Sequence, residues 1–303
     1  MSSKKIGFIT GADFALRGKT MTNVKRVVAL VALAVVTIPV MAQQRPAPPP
    51  TPRIYIFDNG KLTGLDPTMF GLTREEIKEP DLVAVSYLVV HPKGTLMFDA
   101  GAIADADFKS DGTPVTAGVA SATRQLKPQL AAIGYRPSDV MYFALSHYHA
   151  DHTANANEFA GATWIVQKPE RDAMFAPKAP AITRPVDYSA LQNAKTKILD
   201  NEDFDVFGDG TVVVMATPGH TPGHQVLFVR LAKAGPVVLA GDIYHYPEQI
   251  TTGRMSTFEW NADQSKASRA KVAALMKETG AALWMEHDIA THAKLPKAPK
   301  FVE

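Results

Sequence analysis

Three histidines and an aspartate fall within six consecutive residues, and this cluster constrains the chain more than any other feature. Residues 147–152 read HYHADH and follow an apolar run at residues 140–145, which predicts a buried strand. In an extended segment alternate side chains lie on the same side, so His147 and His149 can face one metal ion together. Asp151 and His152 follow after the chain turns and can reach a second ion.

Cysteine is absent from all 303 residues. Its absence excludes disulfides, cysteine nucleophiles, thiolate zinc sites and a lipid-modified cysteine. Any metal must therefore be held by imidazole nitrogens and carboxylate oxygens. The formal net charge of +2 gives no reason to expect nucleic acid as a partner.

Three further candidate ligands follow other predicted strands directly. His220 comes after the strand at 211–216, Asp242 after the strand at 236–240, and His287 after the strand at 281–285. Sites in layered folds are often assembled from loops on a rigid scaffold. We therefore expect His220 to complete the first metal site, His287 to complete the second, and Asp242 to bridge both.

The other histidines have different expected roles. An isolated histidine usually has a structural role, in which hydrogen bonds satisfy its ring nitrogens. We predict this role for His224, which is expected to support its loop. His91 lies in a predicted turn and is expected to be exposed. His292 has no predicted role.

The remaining pattern predicts an α/β domain with sheets covered by helices. Predicted strands at 82–90 and 95–98 form a hairpin, as do those at 225–231 and 236–240, and 163–167 is a further strand. A helix is expected over 121–133 with a stop at Gly134, and Pro128 is expected either to open a second helical segment or to kink the first. A second helix is expected over 263–278, capped by Asp263 and ended by Gly280.

The N-terminal region predicts export. Lys25 and Arg26 precede an apolar run at 27–40 and a cleavage site after Ala42, which is typical of a signal peptide starting at Met21. The alternative is a membrane anchor, but the run is short for a transmembrane span. Residues 1–42 are thus an extension and signal peptide, 43–52 a proline-rich linker, and 53–303 one domain. The mature protein is expected to be periplasmic or secreted, without stable membrane association.

Four motifs occur in an order that resembles the metallo-β-lactamase superfamily across residues 54–300. They are HYHADH, which has the form HxHxDH, then TPGHTPGH, LAGD and MEHD. The segments IYIFDNG, MFGL, YLVVHPKGTLMFDAG and HDIATHAKLPKAP are most similar to the N-acyl-homoserine lactonases within that superfamily. The resemblance implies an αββα sandwich with two metal ions, expected to be zinc, at one edge.

Carried onto this sequence, the resemblance implies the same metal ligands. One ion would have His147, His149 and His220, the other Asp151, His152 and His287, with Asp242 bridging. These lactonases often have a tyrosine three residues after the bridging aspartate, where this chain has His245. We expect His245 to donate a hydrogen bond to the substrate oxyanion; the alternatives are that His245 only supports the neighbouring ligands, or that Tyr244 is the donor. Asp151 is also expected to pass a proton to the leaving oxygen.

The resulting prediction is an exported dinuclear zinc hydrolase that opens lactone rings, above all those of N-acyl-homoserine lactones. A hydroxide shared by the metals would attack the ring carbonyl. The alternatives are a β-lactamase, a phosphotriester or thioester hydrolase, or a non-catalytic exported metal-binding protein. A redox diiron protein is disfavoured because that branch usually has Glu where His149 stands.

The expected partner is a small lactone or ester. We expect Met69, Phe70 and Phe175 to contact its apolar part. A homodimer is left open.

Overall fold

The computed structural model describes residues 45–110 and 113–303. The predicted signal peptide, the start at Met21 and the first two linker residues lie outside the described residues. Residues 45–49 form no helix or strand, as expected for a linker, but Pro49 and Pro52 are buried. This part of the predicted linker therefore lies against the domain. Among the described residues, no helix has the length and hydrophobicity needed to cross a membrane.

The elements of the described residues alternate between strands and short helices. The strands are β1 (Arg53–Leu62), β2 (Leu82–His91), β3 (Gly94–Phe98), β4 (Val115–Ala117), β5 (Ala120–Ala122), β6 (Tyr142–Ala144), β7 (Thr163–Gln167), β8 (Thr196–Leu199), β9 (Phe204–Asp205), β10 (Val212–Ala216), β11 (Gln225–Leu231), β12 (Gly235–Leu239), β13 (Ala282–Trp284) and β14 (Phe301–Val302). The α-helices are α1 (Leu126–Ala132), α2 (Ala150–Thr153), α3 (Lys168–Met174), α4 (Pro185–Tyr188), α5 (Glu248–Thr252), α6 (Ala262–Thr279) and α7 (Ile289–Lys294).

The strands form two sheets. In the larger sheet the order is β4-β5-β1-β2-β3-β6-β7-β8, with β14 also paired to β1. Its β3, β6, β7 and β8 run parallel to one another. The smaller sheet has the order β13-β12-β11-β10-β9, in which only the β12–β13 pair is parallel among the pairs described.

The two sheets pack face to face with helices outside. Tyr87 and Phe98 of the larger sheet share one apolar cluster with Leu227 and Leu239 of the smaller sheet. A second cluster joins the larger sheet to α1, α3 and α4, and a third joins the smaller sheet to α6. Each sheet thus buries one face against the other sheet and one against helices, which confirms the predicted αββα sandwich.

The predicted helix over 121–133 is wrong in its first part. Residues 120–122 form β5, because Ser121 and Ala120 pair with Lys61 and Leu62 of β1, and this ladder satisfies their backbone groups. The helix begins only at Leu126. Pro128 then lies in the first turn of this helix, where backbone N–H groups have no partner within the helix, so its missing N–H costs no helical hydrogen bond.

Two smaller predictions also need correction. The N-cap of α6 is Asn261, whose side chain accepts a hydrogen bond from the Gln264 N–H, while Asp263 lies in the first turn. The stop at Gly280 is confirmed, with φ of 72°. His91 is buried rather than exposed, because its ring stacks on Phe207 at 4.1 Å between centroids.

The strand ends that carry the candidate ligands meet at one edge of the sandwich. The chain leaving β6 contains residues 147–152, and the chain leaving β10 contains His220. The Gln225 N–H, at the start of β11, donates to the Ser146 carbonyl at 2.9 Å. The Ala240 N–H donates to the Trp284 carbonyl at 3.0 Å, which brings the ends of β12 and β13 together.

Candidate active site

Three histidine nitrogens converge with one carboxylate oxygen to form a first donor group. His147 Nε2 lies 2.9 Å from His149 Nδ1, which lies 3.1 Å from His220 Nε2. Asp242 Oδ2 lies 3.5 Å from His147 Nε2 and 3.4 Å from His220 Nε2. Ligand atoms at about 2.0–2.2 Å from a tetrahedral ion are separated by about 3.4 Å. The observed separations are close to this value.

A second donor group lies on the other side of the same carboxylate. Asp242 Oδ1 lies 3.0 Å from His287 Nε2 and 3.2 Å from His152 Nε2. Asp151 Oδ2 lies 3.5 Å from His287 Nε2 and 3.7 Å from His152 Nε2. Each oxygen of Asp242 therefore faces one group, the arrangement expected of a bridging ligand.

Hydrogen bonds at the opposite ring nitrogens orient the second group. His287 Nδ1 donates to the Val83 carbonyl at 2.8 Å, and His152 Nδ1 lies 3.1 Å from Asp99 Oδ2. With the proton on Nδ1, each ring directs the lone pair of Nε2 toward Asp242. Metal-binding histidines are usually held by such a partner.

The donor atoms fit a pair of divalent cations. Within the described part of the chain, buried His152 Nε2 and Asp242 Oδ1 face each other at 3.2 Å without the alignment of a hydrogen bond. Burial lowers the pKa of His147 and of His149 well below the ordinary value for histidine. Both rings are therefore neutral at pH 7 and offer lone pairs, as a metal ligand must.

The second group attracts positive charge strongly. Burial opposes a charge on His287, but the Asp242 carboxylate outweighs it and raises the pKa of His287 to about 9. Burial also opposes a charge on His152, yet Asp242, Glu286 and Asp151 raise its pKa well above the ordinary value. The same carboxylates favour a divalent cation, which would displace these protons on binding.

Asp242 reaches this position because the preceding residue has no side chain. Gly241 has φ of +48°, and a Cβ there would lie 2.7 Å from Ser146 Cβ and 2.8 Å from His224 Nε2. The Asp242 N–H donates to His224 Nε2 at 3.0 Å, and His224 Nδ1 lies 2.9 Å from Thr217 Oγ1. His224 thus supports the loop, as the sequence predicts.

The neighbours His245 and Tyr244 point in opposite directions. His245 is buried with Nε2 at 3.1 Å from Asp242 Oδ2, and it lines the cavity above the donor groups. Tyr244 instead packs under the Arg269 guanidinium, whose carbon lies 4.3 Å from the ring centroid. The geometry therefore favours His245 over Tyr244 for contact with a substrate.

Three buried carboxylates near the candidate ligands were not predicted from the sequence. Asp99 Oδ1 accepts from the Ser146 N–H at 2.6 Å while Oδ2 faces His152. Glu286 Oε1 lies 3.3 Å from His152 Nδ1, and Glu259 Oε2 lies 3.6 Å from His220 Nδ1. The signal for Asp99 was available, because it directly follows an apolar strand as Asp242 does. Burial, and then Asp99, raise the pKa of Glu286 well above its usual range.

A cavity of about 420 Å³ opens directly above the two donor groups. Its floor contains His149, Asp151, Asp242, His245 and His287. Its walls are largely apolar, and their side chains include Leu62, Leu65, Met69, Phe70, Leu82, Val119, Ile182 and Phe258.

Two of the three predicted apolar contacts, Met69 and Phe70, line this cavity. Phe175 does not line it. Its ring packs edge-on against Trp164 and Tyr188 in the cluster beneath the helices. The prediction for Phe175 is therefore wrong.

Comparison with known families identifies the superfamily of this chain. The model of the metallo-beta-lactamase superfamily matches residues 80–293. The chain belongs to this superfamily. This result confirms the family expected from the four motifs.

Within the superfamily, this chain is similar to N-acyl homoserine lactonases. It is 31% identical over 230 residues to N-acyl homoserine lactonase AttM of Azorhizobium caulinodans. The aligned region covers 72% of this chain and 86% of that protein. It is 30% identical over 228 residues to AttM of Rhizobium radiobacter, covering 71% of this chain and 85% of that protein.

Solved structures share the fold of this superfamily member. An N-acyl homoserine lactone hydrolase with the product N-hexanoyl-L-homoserine bound at its catalytic metal centre matches with a TM-score of 0.68 and 22% identity, over 82% of this chain and 98% of that one. The dizinc quorum-quenching lactonase AidC matches with a TM-score of 0.61 and 19% identity, over 83% of this chain and 93% of that one.

Two donor groups predict two metal equivalents per chain. We expect protein comprising residues 43–303 to bind close to two equivalents after reconstitution, and His149→Ala to bind about one, because His149 belongs to the first group only. Elemental analysis of the folded, dialysed proteins measures both values.

The matched control is His91→Ala, which removes a buried histidine that stacks on Phe207 away from the ligands. It should retain both equivalents. Folded wild-type protein that retains no metal after reconstitution would exclude the site.

Proposed function

We propose that this protein is a dinuclear zinc lactonase that opens the ring of N-acyl homoserine lactones. The observation that carries the proposal is the apolar cavity whose floor is the pair of donor groups. The similarity of this chain to AttM, which is named an N-acyl homoserine lactonase, supports N-acyl homoserine lactones as the substrate. Zinc is the proposed metal because the donors are imidazole nitrogens and carboxylate oxygens.

The cavity suits a substrate with an apolar tail and a polar head. An acyl chain can lie against Leu65, Met69 and Val119 on the walls, while the lactone carbonyl lies at the floor beside Asp242 and His245. Ligand sites commonly combine apolar walls with a few polar groups that fix orientation. Ring opening would leave the acyl chain in place and create a carboxylate and an alcohol at the floor.

Bound divalent ions would supply a water-derived nucleophile at neutral pH and polarise the lactone carbonyl. The protein's own contribution begins with Asp242, whose two oxygens fix the spacing of the two donor groups. Asp151 is partly exposed in the cavity floor, unlike the buried histidines around it. This exposure to the cavity supports the proposal that Asp151 passes a proton to the departing ring oxygen.

His245 is the proposed hydrogen-bond donor to the carbonyl oxygen as negative charge develops there. The Ser256 hydroxyl lies 3.3 Å from His245 Nδ1 and can donate to it, which keeps the ring proton on Nε2. Phe70 and Phe258 flank the ring at 4.8 Å and 5.6 Å between centroids and restrict its rotation. In the structure this Nε2 also lies 3.1 Å from Asp242 Oδ2, so the carbonyl oxygen would share its N–H with that carboxylate. A donor held beside developing negative charge stabilises the transition state.

Substitution of His245 tests this role. We expect His245→Ala to lower lactone turnover by about 10- to 1,000-fold, the range for loss of one oxyanion donor or somewhat less. His245→Tyr should restore part of the rate because a phenol can also donate. Steady-state kinetics with metal content measured on the same samples gives the comparison.

Tyr244→Phe is the matched control, since Tyr244 lies on the adjacent residue and packs against Arg269. It should change turnover little. Full activity of His245→Ala combined with a large loss in Tyr244→Phe would mean that the wrong neighbour has been assigned.

A substrate panel tests the activity itself. Zinc-loaded and metal-stripped protein should be compared on N-acyl homoserine lactones of short, medium and long chain, a β-lactam, a phosphotriester and a thioester. We expect zinc-dependent ring opening of the lactones. Titration of the released acid at constant pH measures this reaction. Zinc-dependent turnover of another class without lactone turnover would identify a different hydrolase. No turnover of any substrate by metal-loaded protein would leave only a metal-binding role.

We also propose that the protein is exported to the periplasm or secreted. The basis is the sequence pattern of Lys25, Arg26, the apolar run and Ala42. N-terminal sequencing of protein recovered from the periplasm or medium of the expressing cells should begin at Gln43. Recovery of the uncleaved chain in the cytoplasm alone would contradict export.

A further inference from the structure

Glu170 is a fully buried carboxylate that the proposed chemistry does not use. It lies in α3 and accepts hydrogen bonds from two different loops. The Tyr148 N–H donates to Oε1 at 2.8 Å, and the Gly223 N–H donates to Oε2 at 2.8 Å. The Thr221 hydroxyl lies 2.9 Å from Oε1 and 2.8 Å from Oε2.

These two loops carry all three histidines of the first donor group. Tyr148 stands between His147 and His149, and Thr221 directly follows His220. The contact of 3.1 Å between His149 Nδ1 and His220 Nε2 crosses from one loop to the other. The carboxylate of Glu170 thus ties together the backbones whose separation sets this distance.

The carboxylate itself is held on a rigid element. α3 begins directly after β7, which pairs with strands on both sides in the larger sheet. Gly223 allows the close approach, because a Cβ there would lie 2.6 Å from the Glu170 nitrogen and 2.7 Å from its Cβ. A side chain at residue 223 would push the second loop away from the carboxylate.

We propose that Glu170 is a positioning residue that fixes the geometry of the first metal site by joining its two ligand loops. This inference rests on the metal ligands assigned under the proposed function, but it does not depend on the substrate. Glu170 touches neither the ligand atoms nor the cavity. It acts through the backbone on each side of the ligands.

Glu170→Gln isolates this role because it keeps the size of the side chain. An amide has one oxygen and one NH₂ group, whereas the carboxylate accepts a backbone N–H at each oxygen. In either orientation of the amide, the NH₂ group faces the N–H of Tyr148 or of Gly223. One loop therefore loses its bond, although the Gln225 N–H to Ser146 carbonyl bond remains to hold the fold.

The test is the stepwise metal affinity of the full chain from residue 43, measured with zinc against a competing chelator. Burial raises the pKa of Glu170 to about 7, so the measurement is made above that pH, where the carboxylate is ionised. His149→Ala and His287→Ala identify which binding step belongs to which site. We expect Glu170→Gln to weaken the first site by about 10- to 100-fold, the usual effect of removing a partner behind the ligands. The second site should change by much less.

Asp105→Asn is the matched control. Asp105 is also buried and accepts two backbone hydrogen bonds, from Leu126 at 2.6 Å and Lys127 at 2.8 Å, but these lie at the start of α1. It should lower the melting temperature without weakening the first site. If Asp105→Asn and Glu170→Gln weakened the first site equally, general destabilisation would explain the loss of affinity, and the proposal would be overturned.

Unchanged affinity of the first site in folded Glu170→Gln would also overturn it. If that variant does not fold, Glu170→Asp decides, because it keeps the charge but withdraws the carboxylate by one methylene from the N–H groups of Tyr148 and Gly223. A selective loss at the first site would support the proposal, and wild-type affinity would overturn it. Wild-type protein that binds zinc but opens no lactone would disprove the proposed substrate and leave this test intact.

Discussion

The buried carboxylate of Asp242 is the feature on which the rest of the site depends. Two oxygens of one side chain face two sets of histidines, at distances of 3.0 to 3.5 Å. A buried charge is costly unless it is paired and hydrogen-bonded. The loops at this edge of the sandwich therefore have to bring compensating groups to one point. Gly241 and His224 serve that purpose by fixing the backbone from which Asp242 extends.

The two donor groups differ in electrostatic character. The first consists mainly of neutral imidazoles, since burial holds the pKa of His147 and His149 well below the usual value. The second lies among several carboxylates, which raise the pKa of His287 to about 9. Protons and metal ions thus compete more strongly for the second group. The first group depends instead on how accurately its two loops are held, and Glu170 lies where it can hold both.

The cavity connects this electrostatic centre to the proposed substrate. Under the proposed function, apolar walls next to a polar floor would separate the recognition of an acyl chain from the chemistry on a lactone ring. His245 belongs to both regions, because it lines the cavity and lies 3.1 Å from Asp242. An imidazole at this position offers the same kind of hydrogen bond as the tyrosine expected from the lactonase pattern. Under the proposed function, the oxyanion donor would therefore be kept although the residue type differs.

The sequence by itself predicted the types of the candidate ligands and their order, and its resemblance to the metallo-β-lactamase superfamily predicted the αββα sandwich. HYHADH, TPGHTPGH and the strand-end Asp242 and His287 are local patterns, and their meaning follows from strand alternation and the absence of cysteine. Only the tertiary structure decided that His245 rather than Tyr244 faces the site, that residues 120–122 pair with β1, and that Phe175 lies away from the cavity. It also brought together Asp99, Glu286 and Glu170, which are far apart in the sequence. Side-chain direction in a loop and contacts between distant segments depend on packing across the whole domain, and no local periodicity encodes them.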